Sequence, residues 1–118
     1  MIFVIDDDEI MAECVARACD GEKVMVFANA IEAMAKITDG VMPDLVFLDV
    51  LLDGPDGFTM LNEMVSYDDT ARIPVVLITS LDLAGRDLST YGVVGVLAKD
   101  KMRPGDVRKY VRRYVGVA

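Results

Sequence analysis

The chain contains no histidine. That absence removes serine–histidine–aspartate and cysteine–histidine catalysis, histidine-ligated zinc and any phosphohistidine formed on the chain itself. Cysteine is scarce, with only Cys14 and Cys19. They fall on one predicted helix, pointing in different directions at a separation unsuited to a disulfide. Two buried thiols in a reducing, cytoplasmic setting are the expected state. Long apolar runs are also missing: the chain is 53% hydrophobic, yet no uninterrupted stretch could span a bilayer. No basic leader with a cleavage site precedes the first apolar run, so no secretory signal is expected. There is no internal repeat, and 118 residues suit a single domain, 1–118, with one core.

Charge is plentiful but unevenly spread. Residues 1–98 carry 18 acids against 5 bases, whereas residues 99–118 carry 7 bases against 2 acids. The acidic body argues against nucleic acid as a direct partner. The basic end is either a docking face for an acidic partner or a solvated helix surface.

Short runs rich in valine and isoleucine, bounded by polar residues, read as buried strands of a parallel sheet. They lie at residues 2–5, 23–27, 45–48, 74–78 and 95–98. Helices are expected between them. Asp8–Cys19 places Ile10, Met11, Cys14, Val15 and Ala18 on one stripe. Asn29 can cap a helix to Thr38 with Ile31, Met34, Ala35 and Ile37 as its apolar face. Phe58–Ser66 follows a loop dense in turn formers, Asp53-Gly54-Pro55-Asp56-Gly57. A weak fourth helix is expected within Leu83–Tyr91. The fifth, Pro104–Val115, has proline in its first turn, turns Val107, Val111 and Tyr114 inward and exposes Arg108, Lys109, Arg112 and Arg113. Alternating strands and helices imply an α/β fold, a parallel sheet with helices on both faces.

Five side chains stand where these runs stop: the pair Asp6-Asp7, then Asp49, Thr79 and Lys99. In open α/β sheets, ligands bind beyond the carboxyl ends of the strands, where strand order reverses. The five should therefore converge. Adjacent carboxylates repel unless a cation sits between them, and a hard divalent ion such as Mg²⁺ suits an all-oxygen donor set. Asp49, after an unbroken apolar run, is well placed as a nucleophile on phosphorus. Thr79 offers a hydroxyl and Lys99 a point charge. Asp8 and Glu9 read as residues that favour a helix N-terminus.

Four motifs carry a resemblance over almost the whole chain: Phe3-Val4-Ile5-Asp6-Asp7-Asp8, Val46-Phe47-Leu48-Asp49 with Asp56-Gly57, Val76-Leu77-Ile78-Thr79-Ser80, and Gly95-Val96-Leu97-Ala98-Lys99. The chain resembles the receiver domains of two-component response regulators. The resemblance implies a flavodoxin-like doubly wound sheet of five strands in the order 2-1-3-4-5. It implies that Asp49 is the phosphoacceptor and that Asp7 binds Mg²⁺ directly. Asp6 would do so mainly through water, and the backbone carbonyl of Leu51 would be a further ligand. Thr79 would bind the arriving phosphoryl group, and Lys99 would pair with Asp49 before and with the phosphoryl group after. The donor would be a sensor histidine kinase or a histidine phosphotransfer protein. The expected protein is a stand-alone cytoplasmic receiver that is not an enzyme beyond its own phosphorylation and dephosphorylation. It would act by protein contact, including self-association through the fourth and fifth helices, or as a phosphate sink.

Two alternatives remain open. One is a degenerate receiver that binds partners without phosphorylation. The other is a small phosphatase of the haloacid dehalogenase type, for which Asp6-x-Asp8, Thr79 and Lys99 stand in the right order. That family needs a further acidic pair on a later strand, where only Asp100 and Asp106 remain.

The chain departs from the family in places. Val96 replaces a frequent aromatic three residues before the lysine, so it cannot report the phosphorylated state as that aromatic does. Asp53 and Asp100 stand where proline is common. A cis bond without proline costs roughly 2.5–4 kcal/mol, so a trans Lys99–Asp100 bond is expected. The stretch from Thr79 to Lys99 is about two residues short and contains Gly85, Gly92 and Gly95, which weaken a helix; an altered fourth helix is expected. Leu51 and Leu81, two residues past Asp49 and Thr79, should exclude attacking water. A long-lived acyl phosphate follows: purified, phosphorylated protein should keep its label, and rapid release of phosphate would contradict this reading.

Overall fold

The computed structural model describes residues 1–19, 21–50, 57–80 and 88–116. Five strands form one sheet: β1 (Ile2–Ile5), β2 (Val24–Phe27), β3 (Leu45–Asp49), β4 (Val75–Thr79) and β5 (Val93–Ala98). Among the described residues, four helices flank them: α1 (Glu9–Ala18), α2 (Ala30–Thr38), α3 (Gly57–Val65) and α4 (Pro104–Tyr114). All neighbouring strands are parallel, in the order β2-β1-β3-β4-β5. The expected doubly wound sheet is therefore the observed fold.

Alternation along the strands builds two cores. Phe3, Ile5, Val46, Leu48 and Leu77 face one cluster, closed by Ala33 and Ile37 of α2 and by Met60, Leu61 and Met64 of α3. Ile2, Val4, Leu45, Phe47, Val76 and Ile78 face the other, closed by Ala12, Val15 and Ala18 of α1 and by Val107 and Val111 of α4. Every residue of β1, β3 and β4 is buried. That is why these strands read as continuous apolar runs. Fully burying one such side chain contributes about 1.5–3 kcal/mol.

The helix ends follow local chemistry. The Asp8 side chain accepts from the amides of Ile10 and Met11 at 3.1 and 3.2 Å, capping α1 as expected of its position. Asn29 accepts from the Glu32 amide at 2.9 Å. The Arg103 amide donates to the Asp106 carboxylate at 2.9 Å. At the start of α3, a Cβ on Gly57 would lie 2.7 Å from the Asp49 carbonyl oxygen and 2.7 Å from Val50 Cα. Only glycine lets this helix approach the end of β3 so closely.

Several expectations need correction. On α1 the buried residues are Ala12, Val15 and Ala18, while Ile10 is 77% exposed and Cys14 is exposed. On α2 they are Ala30, Ala33 and Ile37, while Ile31 is 61% exposed and Ala35 is exposed. In both helices the sheet receives the alanine-bearing arc, because small side chains allow closer packing than the bulkier neighbours. β5 starts at Val93, earlier than expected; its ladder to β4 is irregular between Val75 and Val76, which pair with Val93 and Gly95. That count leaves Val94 as an extra, bulged residue. Of the segment Leu83–Tyr91, residues 83–87 lie outside the described residues, as do Leu51, Asp53 and Leu81. Its end forms a single 3-10 turn, Ser89–Tyr91. Val107 and Val111 point inward as expected, and Arg108, Lys109, Arg112 and Arg113 are exposed. No cis peptide occurs among the described residues, so Lys99–Asp100 is trans. Among the described residues, no helix is long and apolar enough to cross a membrane.

The two thiols also differ from expectation. Both are free, Cys14 exposed and Cys19 buried. Burial, with the charge of Glu22 adding to it, pushes the Cys19 thiol up from 9.0 to about 11. The folded pKa is raised, so the stability this group contributes is complete below the unfolded pKa. It is lost as pH climbs from 9.0 towards about 11. Alkylation of the native protein at neutral pH should therefore modify Cys14 alone, with Cys19 reacting only after denaturation. Equal labelling of both thiols, read by mass, would contradict this placement.

Candidate functional site

Strand order reverses between β1 and β3, and the crevice at a reversal opens beyond the strands' carboxyl ends. Asp6 follows β1 directly, Asp49 and Thr79 are the last residues of β3 and β4, and Lys99 follows β5. The register aligns Ile5 with Leu48, Asp49 with Ile78, and Thr79 with Ala98. The ladder continues one step further, where the Lys99 amide donates to the Thr79 carbonyl at 3.0 Å. Residues separated by most of the sequence thus share one edge.

Lys99 Nζ lies 2.9 Å from Asp49 Oδ2. The same ammonium is 3.3 Å from Asp6 Oδ1 and 3.2 Å from Asp6 Oδ2. Asp6 Oδ1 also accepts from the Asp8 amide at 2.9 Å. Asp6, Asp49 and Thr79 are buried, whereas Asp7 is exposed at the mouth. One carboxylate oxygen from each of Asp6, Asp7 and Asp49 lies within 4.8 Å of the others. The structure therefore brings Asp6, Asp7, Asp49 and Lys99 together and sets Thr79 on the adjacent strand end. Leu51 lies outside the described residues.

The two ends of the Asp6–Lys99 pair shift in the same direction, for different reasons. Burial raises the Asp6 carboxyl above its ordinary value, although the Asp8 amide and Lys99 pull it down. Burial alone would lower Lys99, but hydrogen bonds to Asp49 and Asp6 outweigh it and the net shift is upward. Burial thus disfavours the charged form of Asp6, while the two neighbouring carboxylates favour the charged form of Lys99. Among the described residues, three carboxylates gather around the Lys99 ammonium.

A hard divalent cation fits such a carboxylate cluster. Among the described residues, Asp6 Oδ2 is buried and receives no directed hydrogen bond, although Lys99 stands at ion-pair distance from it. The donors are all carboxylate oxygens, the chemistry Mg²⁺ prefers. Two features escaped the sequence reading. Lys99 bridges two acids at once, and Gly57 is pressed against the Asp49 carbonyl. The Asp56-Gly57 motif signalled the second; nothing in the spacing signalled the first.

Comparison with known proteins places this geometry. Residues 2–112 match the family model described as response regulator receiver domain. The chain is 48% identical over 86 residues to response regulator PleD of Caulobacter vibrioides, covering 71% of the chain and 19% of that protein. It is 29% identical over 119 residues to protein-glutamate methylesterase/protein-glutamine glutaminase 2 of Burkholderia thailandensis, covering 94% of the chain and 33% of that protein. The chain thus spans a third or less of these curated relatives. Among solved structures, the receiver domain of NtrX from Brucella abortus superposes with a TM-score of 0.83 at 26% identity, each chain covered completely.

The burial of Asp6 beside Asp49 makes a direct prediction. Mg²⁺ should raise the melting temperature, since a ligand at one hundred times its Kd adds about 2.7 kcal/mol. Asp6→Asn removes one repelling charge while keeping an acceptor for the Asp8 amide. It should stabilise the metal-free protein by about 1 kcal/mol and weaken the response to Mg²⁺. Thermal melts with and without Mg²⁺ check both; a metal-free Asp6→Asn protein less stable than wild type would contradict the charge argument.

Proposed function

The chain belongs to the response regulator receiver family, and on that premise we propose that Asp49 accepts a phosphoryl group from a phosphohistidine on a sensor kinase or phosphotransfer protein. One observation carries this reading above the others. The buried Asp49 carboxylate is held by Lys99 at 2.9 Å beside two further carboxylates. That is a nucleophile with its countercharge already in place.

Transfer starts as an Asp49 oxygen attacks phosphorus in line with the leaving imidazole. A phosphorus–oxygen bond forms and the phosphorus–nitrogen bond breaks, its electron pair returning to the imidazole nitrogen. Lys99, already within reach of Asp49, turns its charge to a phosphoryl oxygen. The Thr79 hydroxyl donates to another. Both act by positioning and charge stabilisation rather than by covalent chemistry. Asp6, Asp7 and Asp49, with the Leu51 carbonyl, would hold Mg²⁺, which when bound neutralises developing charge on the phosphoryl oxygens.

The product is an acyl phosphate, labile enough for a reversible switch. In this reading residues 1–118 are one receiver unit. It catalyses only its own phosphorylation and dephosphorylation. Its signal passes by protein contact through the basic face of α4, or it drains phosphate from another receiver. Membrane and nucleic acid play no direct part.

Incubation with acetyl phosphate and Mg²⁺ should add the mass of one phosphoryl group to the wild type and none to Asp49→Asn. Lys99→Ala should slow the reaction by at least tenfold, since a charge-stabilising donor is typically worth that or more. An unmodified wild type would favour the phosphorylation-independent reading. Full modification of Asp49→Asn would move the acceptor elsewhere.

A further inference from the structure

The two edges of the sheet carry opposite charge. An open groove of about 440 Å³ runs between α1 and the edge strand β2. Its floor is apolar, formed by Ala12 and Ala16 of α1 and by Val26 of β2. Val26 is 51% exposed, so the protein's own residues leave this floor open. Glu9 and Glu13 of α1 and Glu32 of α2 form the rim, and all three are exposed. Glu13 also pairs with Arg17 one turn on. Among the described residues, Glu9 and Glu32 have no ion-pair partner. An apolar floor under a carboxylate rim suits a long cationic side chain, whose methylenes lie on the floor while its head reaches the acids.

The opposite edge supplies such side chains. α4 lies over β5, where the Tyr110 ring fills the space beside Gly95. Arg108, Lys109, Arg112 and Arg113 cover the exposed side of α4, and among the described residues none of them has an ion-pair partner. They form two pairs four residues apart, the spacing that Glu9 and Glu13 have on α1. Four residues of helix rise about 6 Å, so two helices laid side by side bring a basic pair opposite the acidic one. Within one chain the two rows cannot meet. β2 and β5 are the two edges of the sheet, roughly 19 Å apart, and α1 stands between α4 and the groove.

We propose that this chain associates head to tail, with the basic row of α4 of one copy seated in the α1–β2 groove of the next. The contact joins two different surfaces, so each added copy offers a fresh groove or a fresh α4 and growth stays open. A face-to-face pairing of two α4 helices would instead set like charges against each other. The proposal is independent of the phosphoryl-accepting reading. The net charge of −8 on each copy opposes approach, but at about 0.15 M salt that repulsion is screened beyond about 8 Å, whereas paired side chains are closer than this.

Sedimentation equilibrium of the full chain, from micromolar to millimolar concentration, tests it. At about 0.15 M salt the average mass of the wild type should climb past that of a dimer without levelling. At about 1 M salt, where screening acts within about 3 Å, it should fall back to the monomer. Glu9→Lys with Glu13→Lys halves the net charge. If overall repulsion governed, that variant would associate more readily than wild type; reversing the groove should instead weaken association at least tenfold, because like charges then face each other. Arg108→Glu with Arg112→Glu should weaken it equally. The fourfold swap of all these positions restores both the net charge and the complementarity, and should associate again. All four positions are exposed, and circular dichroism melts confirm that each variant is folded.

A wild type that stays monomeric at millimolar concentration overturns the proposal, as does a mass that levels at the dimer. A groove-reversed variant that associates like wild type moves the contact elsewhere and overturns it too. So does a folded fourfold swap that stays monomeric. A monomeric wild type that binds a fluorescent lysine-rich peptide, with binding lost in Glu9→Lys with Glu13→Lys, gives the groove to a different basic partner and overturns self-association.

Discussion

A single ammonium between two buried acids organises this molecule. Lys99 reaches Asp49 and Asp6 at 2.9 and 3.2 Å, and so ties the carboxyl ends of β1, β3 and β5 into one edge. Without it, Asp6 and Asp49 would face each other as buried like charges, an arrangement that costs several kcal/mol per uncompensated ion. With it, three carboxylates can share one small site. Such a gathering of carboxylate oxygens suits a hard divalent cation.

The sheet makes this interaction possible by bringing distant residues to a common height. Fully buried β1, β3 and β4 leave each of their carboxyl-end residues little freedom. Gly57 presses α3 against the carbonyl of Asp49, and Asp8 serves the same edge twice. Its carboxylate caps α1 while its amide donates to Asp6. The stability of the fold and the geometry of the site therefore depend on the same few strand ends.

Much of this was legible in the sequence because parallel strands buried on both faces read as unbroken apolar runs. Asp6, Asp49, Thr79 and Lys99 each interrupt or follow such a run, so strand ends and site residues were found by one signal. Other features carried no such mark. Periodicity gave α1 and α2 a wide apolar arc but not the part of it that meets the sheet, which Ala12 and Ala33 decide by their small size. β5 was read as starting at Gly95, because its bulge at Val94 and its half-exposed edge break the alternation. The second contact of Lys99, with Asp6, depends on side-chain reach, which spacing does not encode. Leu51 and Leu81 lie outside the described residues: the ligand role of the Leu51 carbonyl comes from the family resemblance, and the exclusion of water from the apolar side chains of both.

If Asp6, Asp7 and Asp49 form one cation notch closed by Lys99, anomalous diffraction from crystals soaked in Mn²⁺ will locate the ion there. The expected result is a single ion at about 2.1 Å from carboxylate oxygens of Asp7 and Asp49, the reach of a small divalent cation, with Asp6 beside it. An ion bound elsewhere, or an Asp49 carboxylate turned away from Asp7 in the loaded crystal, would contradict it.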